Sequence, residues 1–238
     1  MTPFHSMPKK EKIQQMFDEI APSYDQLNHL MSLGIDRIWR RKALKEIVDG
    51  SQQQILDVAC GTGDSTIAIA KAMTPGGKVT GIDISAKMMD PLMRKAAHEG
   101  VHDRIKLMQA DALAMPFKAD TFDRVTCAFG IRNFEDKGKG LEEFLRVLKP
   151  GGKVVILELG IPEKPLIRKL YNIYFRHILP LIGGLISGNR AAYRYLPESV
   201  YAFPSAPTFC TIMQAAGFRN VRHRAFTFGM CRMYVGEK

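Results

Sequence analysis

The chain has 238 residues, 46% of them apolar, with 34 Lys+Arg against 24 Asp+Glu and four cysteines. That length fits one domain, or one domain with an inserted lobe, and that apolar content excludes a wholly disordered chain. Cys60, Cys127, Cys210 and Cys231 form no CxxC pair. A zinc ribbon and a redox dithiol are therefore disfavoured, and two of the four fall in apolar runs, as reduced thiols in a cytosolic setting would.

Residues 1–16 carry Lys9, Lys10 and Lys12 with no apolar stretch behind them, so no secretory signal is read. No run reaches the ~18 apolar residues of a spanning helix. Residues 11–49 have helical periodicity, interrupted at Ala21-Pro22 and at Gly34. The rhythm then changes. Residues 55–59 form a short apolar strand that ends in the turn Gly61-Thr62-Gly63, and a helix is predicted over 65–73. A strand over 78–82 ends at Asp83, and a helix over 85–98 has Ser85 as its N-cap. Strands follow over 105–110, ending at Asp111, and over 122–129. A helix over 139–148 stops at Pro150-Gly151-Gly152, and a fifth strand is placed over 153–159. Alternation at this spacing predicts βαβ units and a mostly parallel sheet. Residues 162–207 break the pattern with prolines and aromatics and read as an inserted lobe. Residues 218–226 and 230–236 read as an antiparallel hairpin at the sheet edge.

Charge is uneven. Residues 161–238 hold 11 Lys+Arg against 3 Asp+Glu, which is most of the net +10. A local basic excess points to an anionic partner such as a membrane surface, nucleic acid or an acidic ligand, or else to a solvated basic face.

Strand, glycine turn and helix together make a ligand site, because the backbone can approach the ligand and the helix start offers free N–H groups. A dinucleotide site would want G-x-G-x-x-G, but Thr66 replaces the third glycine and Asp64 puts a negative charge where a pyrophosphate would lie. A nicotinamide oxidoreductase is disfavoured, and a cationic or zwitterionic ligand is favoured. Asp57 precedes the turn, Asp83 can take both hydroxyls of a ribose, and Asp111 with Ala112 can meet an adenine edge. These strand-end carboxylates suit S-adenosylmethionine, which carries a ribose, an adenine, a sulfonium and an ammonium but no phosphate. No metal-ligand cluster is read.

The segment Leu56-Asp57-Val58-Ala59-Cys60-Gly61-Thr62-Gly63 resembles the first motif of class I methyltransferases, with Ala59 where glycine is usual. Longer segments resemble the menaquinone/ubiquinone-biosynthesis C-methyltransferase family. They include residues 17–25 (FDEIAPSYD), Asn28, Ser32-Leu33-Gly34, Trp39-Arg40-Arg41, Asp83-Ile84-Ser85, Met115-Pro116-Phe117, residues 129–133 (FGIRN) and 195–199 (YLPES). The resemblance spans residues 12 to 235 or so. It implies a Rossmann-like α/β class I fold with a mostly parallel seven-stranded sheet, helices on both faces and an antiparallel C-terminal hairpin. The expected parts are a helical cap over 1–50, a cofactor core over 51–160, a lobe over 161–207 facing substrate or membrane, and a C-terminal helix and hairpin over 208–238.

The same resemblance implies cofactor contacts at Thr62, Asp83, Asp111 and Ala112, to which the turn adds Asp57, Gly61 and Gly63. A family serine after the fourth strand is Ala128 here. The implied reaction moves a methyl group to a ring carbon of a prenylated quinol, with demethylmenaquinol as the leading acceptor. The alternatives are a benzoquinol of the ubiquinone route, a small phenol, RNA, or a non-catalytic nucleic-acid binder. The last has no zinc-finger, helix-turn-helix or RNA-recognition motif behind it, so no nucleic-acid partner is expected.

The quinol hydroxyl should resemble tyrosine, with a pKa of about 10, so a cation that stabilises the phenolate would help. Arg132 is the candidate for that role, and Tyr24 the candidate to hydrogen-bond the quinol or a water carrying its proton. Asp25 could orient Arg132 or line the methionine end of the cofactor, and the histidines carry no partner motif. Residues 165–187 place Arg168, Asn172 and Arg176 on one helical face and Leu166, Leu170, Ile173, Tyr174 and Ile178 on another, the pattern of an interfacial helix on an anionic membrane. Tyr171, Tyr174, Phe175, Tyr193, Tyr195 and Tyr201 could wall a pocket for a quinone ring. The expected location is the cytoplasm, with attachment to the inner face of the cytoplasmic membrane. The oligomeric state is open, a homodimer being one option.

Overall fold

The computed structural model describes residues 9–25, 32–175 and 190–238. The apolar runs of the sequence become strands β1 (Gln54–Val58), β2 (Lys78–Asp83), β3 (Ile105–Gln109), β4 (Phe122–Ala128), β5 (Leu148–Leu159), β6 (Arg219–Phe226) and β7 (Cys231–Glu237) of one sheet. Their order is β3-β2-β1-β4-β5-β7-β6. The first five are parallel, and β7 enters antiparallel between β5 and β6. Strand order reverses between β1 and β4, and in such sheets the crevice beyond the strand C-termini at that reversal takes the ligand.

Helices α1 (Lys9–Ile20), α2 (Ile35–Ile47), α3 (Asp64–Ala72), α4 (Ala86–His98), α5 (Lys137–Val147), α6 (Pro165–Ile173), α7 (Arg190–Ala202) and α8 (Ala206–Ala215) complete the described elements. Ser85 caps α4 as expected, its hydroxyl accepting from the Met88 N–H. Asp136 and Ser205 do the same for α5 and α8. One core layer joins Trp39, Ala43 and Ile47 of α2 to Ile69, Leu92 and Ile55. The other joins Leu141, Phe144, Phe209 and Met213 of α5 and α8 to Leu56, Val125 and Ile156. Because helices cover both faces, Ile55, Leu56, Asp57 and Val58 are all buried, which is why β1 reads as an unbroken run. A third cluster, Ile20, Tyr171, Phe175 and Val200, ties the N-terminal cap to the lobe.

Two expectations change. The fifth strand begins at Leu148, directly after α5, not at Lys153. The Pro150-Gly151-Gly152 breaker lies inside it as a bulge, the register shifting between Phe122 and Arg124 on β4. Gly151 sits at φ +75, and a Cβ on Gly152 would come within 2.8 Å of the Lys149 carbonyl oxygen. The basic C-terminal third is partly accounted for by β6, an edge strand with Arg219, Arg222, His223 and Arg224 exposed. Such charges protect an open edge from pairing with another chain, and Arg222 also bonds Glu46 at 2.8 Å.

Candidate functional site

The crevice is built outward from the turn after β1. Ala59, at φ 55, holds a left-handed conformation that favours glycine, so the departure seen in the sequence carries backbone strain. Gly63 has φ +91, and a Cβ there would land 2.2 Å from Cγ of Leu92, so the turn packs against α4 only with glycine. Thr66, standing where a dinucleotide fold has its third glycine, is fully buried and donates its hydroxyl to Asp57 at 2.6 Å. Asp57 is itself buried, and burial pushes its pKa up to about 6 against the bond from Thr66.

Asp83 reaches back to the turn. Its carboxylate accepts from the Gly61 N–H and from the Ser85 N–H, each at 2.9 Å. Burial raises its pKa, and those N–H groups work the other way. Asp111 accepts from Lys10 Nζ at 2.5 Å and from the Leu113 N–H at 2.9 Å. Burial opposes its charge, but Lys10 and that N–H outweigh it and the pKa falls.

Gly61, Asp83, Asp111 and Ala112 therefore line one cavity, with Ala128 in its wall. Thr62, Gly63 and Asp57 do not line it; they hold the turn from beneath. Asp64 is also turned away, its charge met by Lys95 of α4 at 3.0 Å, so it does not set the ligand's charge as the sequence suggested. Lys10 and Glu135 line the cavity and were not foreseen. Helix α1 closes it: Lys10 bonds Asp111, and the Ser85 hydroxyl donates to Asp18. Asp25 accepts from Thr62 at 2.5 Å and from Lys95 at 2.9 Å, so it secures the turn and does not orient Arg132.

A second cavity of about 470 Å³ opens beside the first, within the range usual for small-molecule sites. Its walls are largely apolar and aromatic, including Trp39, Tyr171, Tyr174, Phe175 and Met230. Three of the six lobe aromatics expected there are present. Tyr195 instead donates to Asn133, Tyr201 donates to Asn172, and the Tyr193 side chain lies outside the described residues. Tyr171 and Phe175 stack at 4.2 Å, and the Tyr171 hydroxyl is buried with no hydrogen-bond partner among the described residues.

Arg132 lines this second cavity. Nη1 donates to Glu158 Oε1 at 2.9 Å and to the Phe129 carbonyl oxygen, and Nε donates to Ser199 at 3.3 Å. Glu158 Oε2 also accepts from the Arg132 backbone N–H at 3.1 Å. Among the described residues Nη2 has no hydrogen-bond partner. Burial works against the guanidinium charge, but the Glu158 carboxylate outweighs it and holds the pKa above its ordinary value. Glu158 is the residue that sequence reasoning missed. Its signal was an acid inside the run VVILELG, where burial requires a partner.

Tyr24 and Phe129 line both cavities. Phe129 has φ 64, so strained residues end both β1 and β4, the two strands that flank the reversal of the sheet. Among the described residues no group of His, Cys, Asp and Glu could hold a metal, and His98, His102 and His223 are exposed. Asn28, His29 and His177 lie outside the described residues.

A glycine turn at the switch point and an acid on the second strand, with an apolar chamber next door, make the ligand site of a Rossmann-like α/β fold. Solved structures agree on the fold. The [4+2]-cyclase SpnF superposes with a TM-score of 0.70 at 18% identity, covering 98% of this chain and 97% of that one. A SAM-dependent methyltransferase from Aquifex aeolicus gives 0.61 at 22%, covering 83% and 88%. Residues 5–238 match the model of the ubiE/COQ5 methyltransferase family. The chain is 48% identical to the ubiquinone/menaquinone biosynthesis C-methyltransferase UbiE of Geotalea daltonii, over 97% of each chain. It is 44% identical to the demethylmenaquinone methyltransferase of Bacteroides fragilis, over 97% of this chain and 94% of that one. The chain belongs to the ubiE/COQ5 methyltransferase family, and its methyl donor is S-adenosylmethionine.

The first cavity is lined by Asp83 beside the apolar side chains of Ile82, Ile84, Met88 and Leu113. Three acids and a single cation, Lys10, line it among the described residues, which suits a cationic ligand and not a pyrophosphate.

Proposed function

We propose that the chain methylates a ring carbon of demethylmenaquinol. The observation that carries this reading is the wall formed by Tyr24 and Phe129, shared by an acid-lined cavity and an aromatic one. S-adenosylmethionine supplies a methyl carbon already activated by its sulfonium. Asp83 and the Gly61 turn hold the donor's ribose, with Asp111 and Ala112 toward its adenine. Aromatic side chains of the second cavity hold the quinol ring and keep water from it. Arg132, fixed as a cation by Glu158, stabilises the quinolate through Nη2, which raises the electron density at the neighbouring ring carbon. A guanidinium does not act as a base, so the hydroxyl proton leaves through Tyr24 or a water that Tyr24 binds. As the methyl carbon bonds to the ring, its bond to the donor sulfur breaks and the sulfur leaves as a neutral thioether. The ring hydrogen at the methylated carbon is then lost as a proton, restoring the aromatic ring, and the oxygen regains a proton, so the net transfer releases one proton.

No described helix is long and apolar enough to cross a membrane. The reading places the chain in the cytoplasm and at the inner face of the cytoplasmic membrane, where a prenylated acceptor resides.

Mass spectrometry of the protein with S-adenosylmethionine and short-tailed reduced demethylmenaquinone tests the reading. A gain of one methyl that requires the reductant is the expected result. Cofactor binding without product would transfer the role of acceptor to a benzoquinol or a small phenol.

A further inference from the structure

The second cavity opens between three separate segments, and each places a large apolar side chain in solvent at its rim. Leu33 in the turn before α2 is 80% exposed, Leu170 of α6 61%, and Phe228 in the turn between β6 and β7 62%. Helix α6 extends this rim with Leu166, 72% exposed, and with Ile173. Leu166, Leu170 and Ile173 are spaced i, i+4, i+7 and share one helix face.

That face is opposite to what a lid packed on the domain would present. The inward side of α6 is Tyr171, buried beside Phe175. Arg168, expected on the polar face of an interfacial helix, donates to the carbonyls of Pro162 and Glu163. Asn172 accepts from Tyr201. Helix α6 therefore buries its aromatic side and exposes its aliphatic one, around the mouth of an apolar chamber. Scattered exposed leucines need no explanation, but a contiguous apolar rim marks an interaction surface.

Charge identifies the partner. Lys164 Nζ lies 5.8 Å from the Phe228 ring, and Lys42 and Arg224 stand 5.0 and 5.7 Å from the ring of Phe226, two residues away. Lys169 is exposed on α6. The acids nearest the rim in sequence are both engaged, Glu163 by Arg232 and Asp36 by Arg40 and Ser32. Aliphatic and aromatic side chains ringed by cations fit an anionic bilayer surface: the apolar groups enter the acyl boundary and the cations meet the headgroups.

We propose that the rim formed by Leu33, Leu166, Leu170, Ile173 and Phe228 docks on an anionic membrane, with the mouth of the second cavity against the bilayer. This inference rests on the reading of that cavity as the site of a prenylated acceptor. It adds an orientation: the acceptor ring enters from the membrane while its tail remains in lipid, and the first cavity exchanges its ligand with water.

The test compares the full chain with Leu166→Ser/Ile173→Ser, two positions outside the cavity lining. Binding is measured by co-sedimentation with vesicles of phosphatidylglycerol and phosphatidylcholine, and with phosphatidylcholine alone. Activity is measured on a short-tailed, water-soluble demethylmenaquinol. The expected result is binding to the anionic vesicles only, weakened by about tenfold or more in the variant, with soluble-acceptor turnover unchanged within about twofold. Lys164→Gln/Lys169→Gln should weaken binding less and reduce its dependence on salt. No vesicle binding by the full chain overturns the proposal. So does a self-association that the serine variant abolishes without any vesicle binding, which would assign the rim to a second copy of the chain. Vesicle binding without methylation of the soluble acceptor would leave the docking surface intact and remove the acceptor reading.

Discussion

The two cavities are built differently. The first is made by consecutive strand ends, Gly61 after β1, Asp83 ending β2 and Asp111 after β3, with α1 laid across. Those three strand ends lie within some fifty residues, and each is marked by a local break from apolar to polar or glycine. The second gathers Tyr24, Trp39, Arg132, Tyr171, Leu196 and Phe228, which lie far apart in the chain. Nothing local marks those residues as neighbours. On the proposed function, donor recognition rests mainly on the strand-end motif, while acceptor recognition depends on how the cap and lobe pack.

The sharpest break in that comparison comes from Arg132. Arg132→Ala should lower kcat by about 10²–10³-fold while cofactor affinity, from calorimetry, stays within about twofold. It also strands Glu158 in the core, so stability should fall by about 3–5 kcal/mol. Arg132→Met/Glu158→Leu should restore folding without restoring turnover, which separates the two effects. Equal losses of turnover and cofactor affinity would show that the cavities do not divide the work.

Asp83→Ala tests the other side. Removing hydrogen bonds to a buried carboxylate should weaken cofactor binding by about 10–100-fold, with far less change in kcat at saturating cofactor. An effect of comparable size, on stability and not on binding, follows from Asp57, whose pKa stands near 6 in the folded protein against an ordinary 3.8. The folded state holds the extra proton, so this contribution is full below pH 4 and is lost as pH rises through 6. Chemical denaturation should show Asp57→Asn flattening that decline, which is on the order of 2–3 kcal/mol. The smallest effect is at Ala59. Glycine there relieves left-handed strain of about 1–2 kcal/mol and returns about 0.5–1 in chain entropy, so Ala59→Gly should raise stability by under ~1 kcal/mol.

The parallel sheet, the Ser85 cap and the meeting of Gly61, Asp83 and Asp111 at one cavity were legible because each leaves a local signature. The reading of Asp64 failed because Lys95, a whole helix away, neutralises it. The place of Asp25, open between orienting Arg132 and lining the methionine end of the cofactor, is hidden for the same reason: Thr62 and Lys95 claim it only after the cap packs on the turn. The onset of β5 was misplaced because a glycine pair that ends a helix also permits a bulge within a strand. Glu158 could have been found, since a carboxylate in an apolar strand demands a cation, but its sequence does not say which.

The position of β7 bears on how the chain leaves the ribosome. Residues 231–237 are made after every other strand, yet they occupy an interior place, pairing with β5 from Lys153↔Glu237 to Leu159↔Cys231 and with β6 on the other side. Until they emerge, β5 has one edge unpaired along a run of Val154, Val155, Ile156 and Leu157, all buried in the finished sheet. An exposed apolar edge is a template for mispairing. The growing polypeptide therefore carries this apolar edge unpaired until residues 231–237 have emerged, and chaperone dependence should be concentrated before that point.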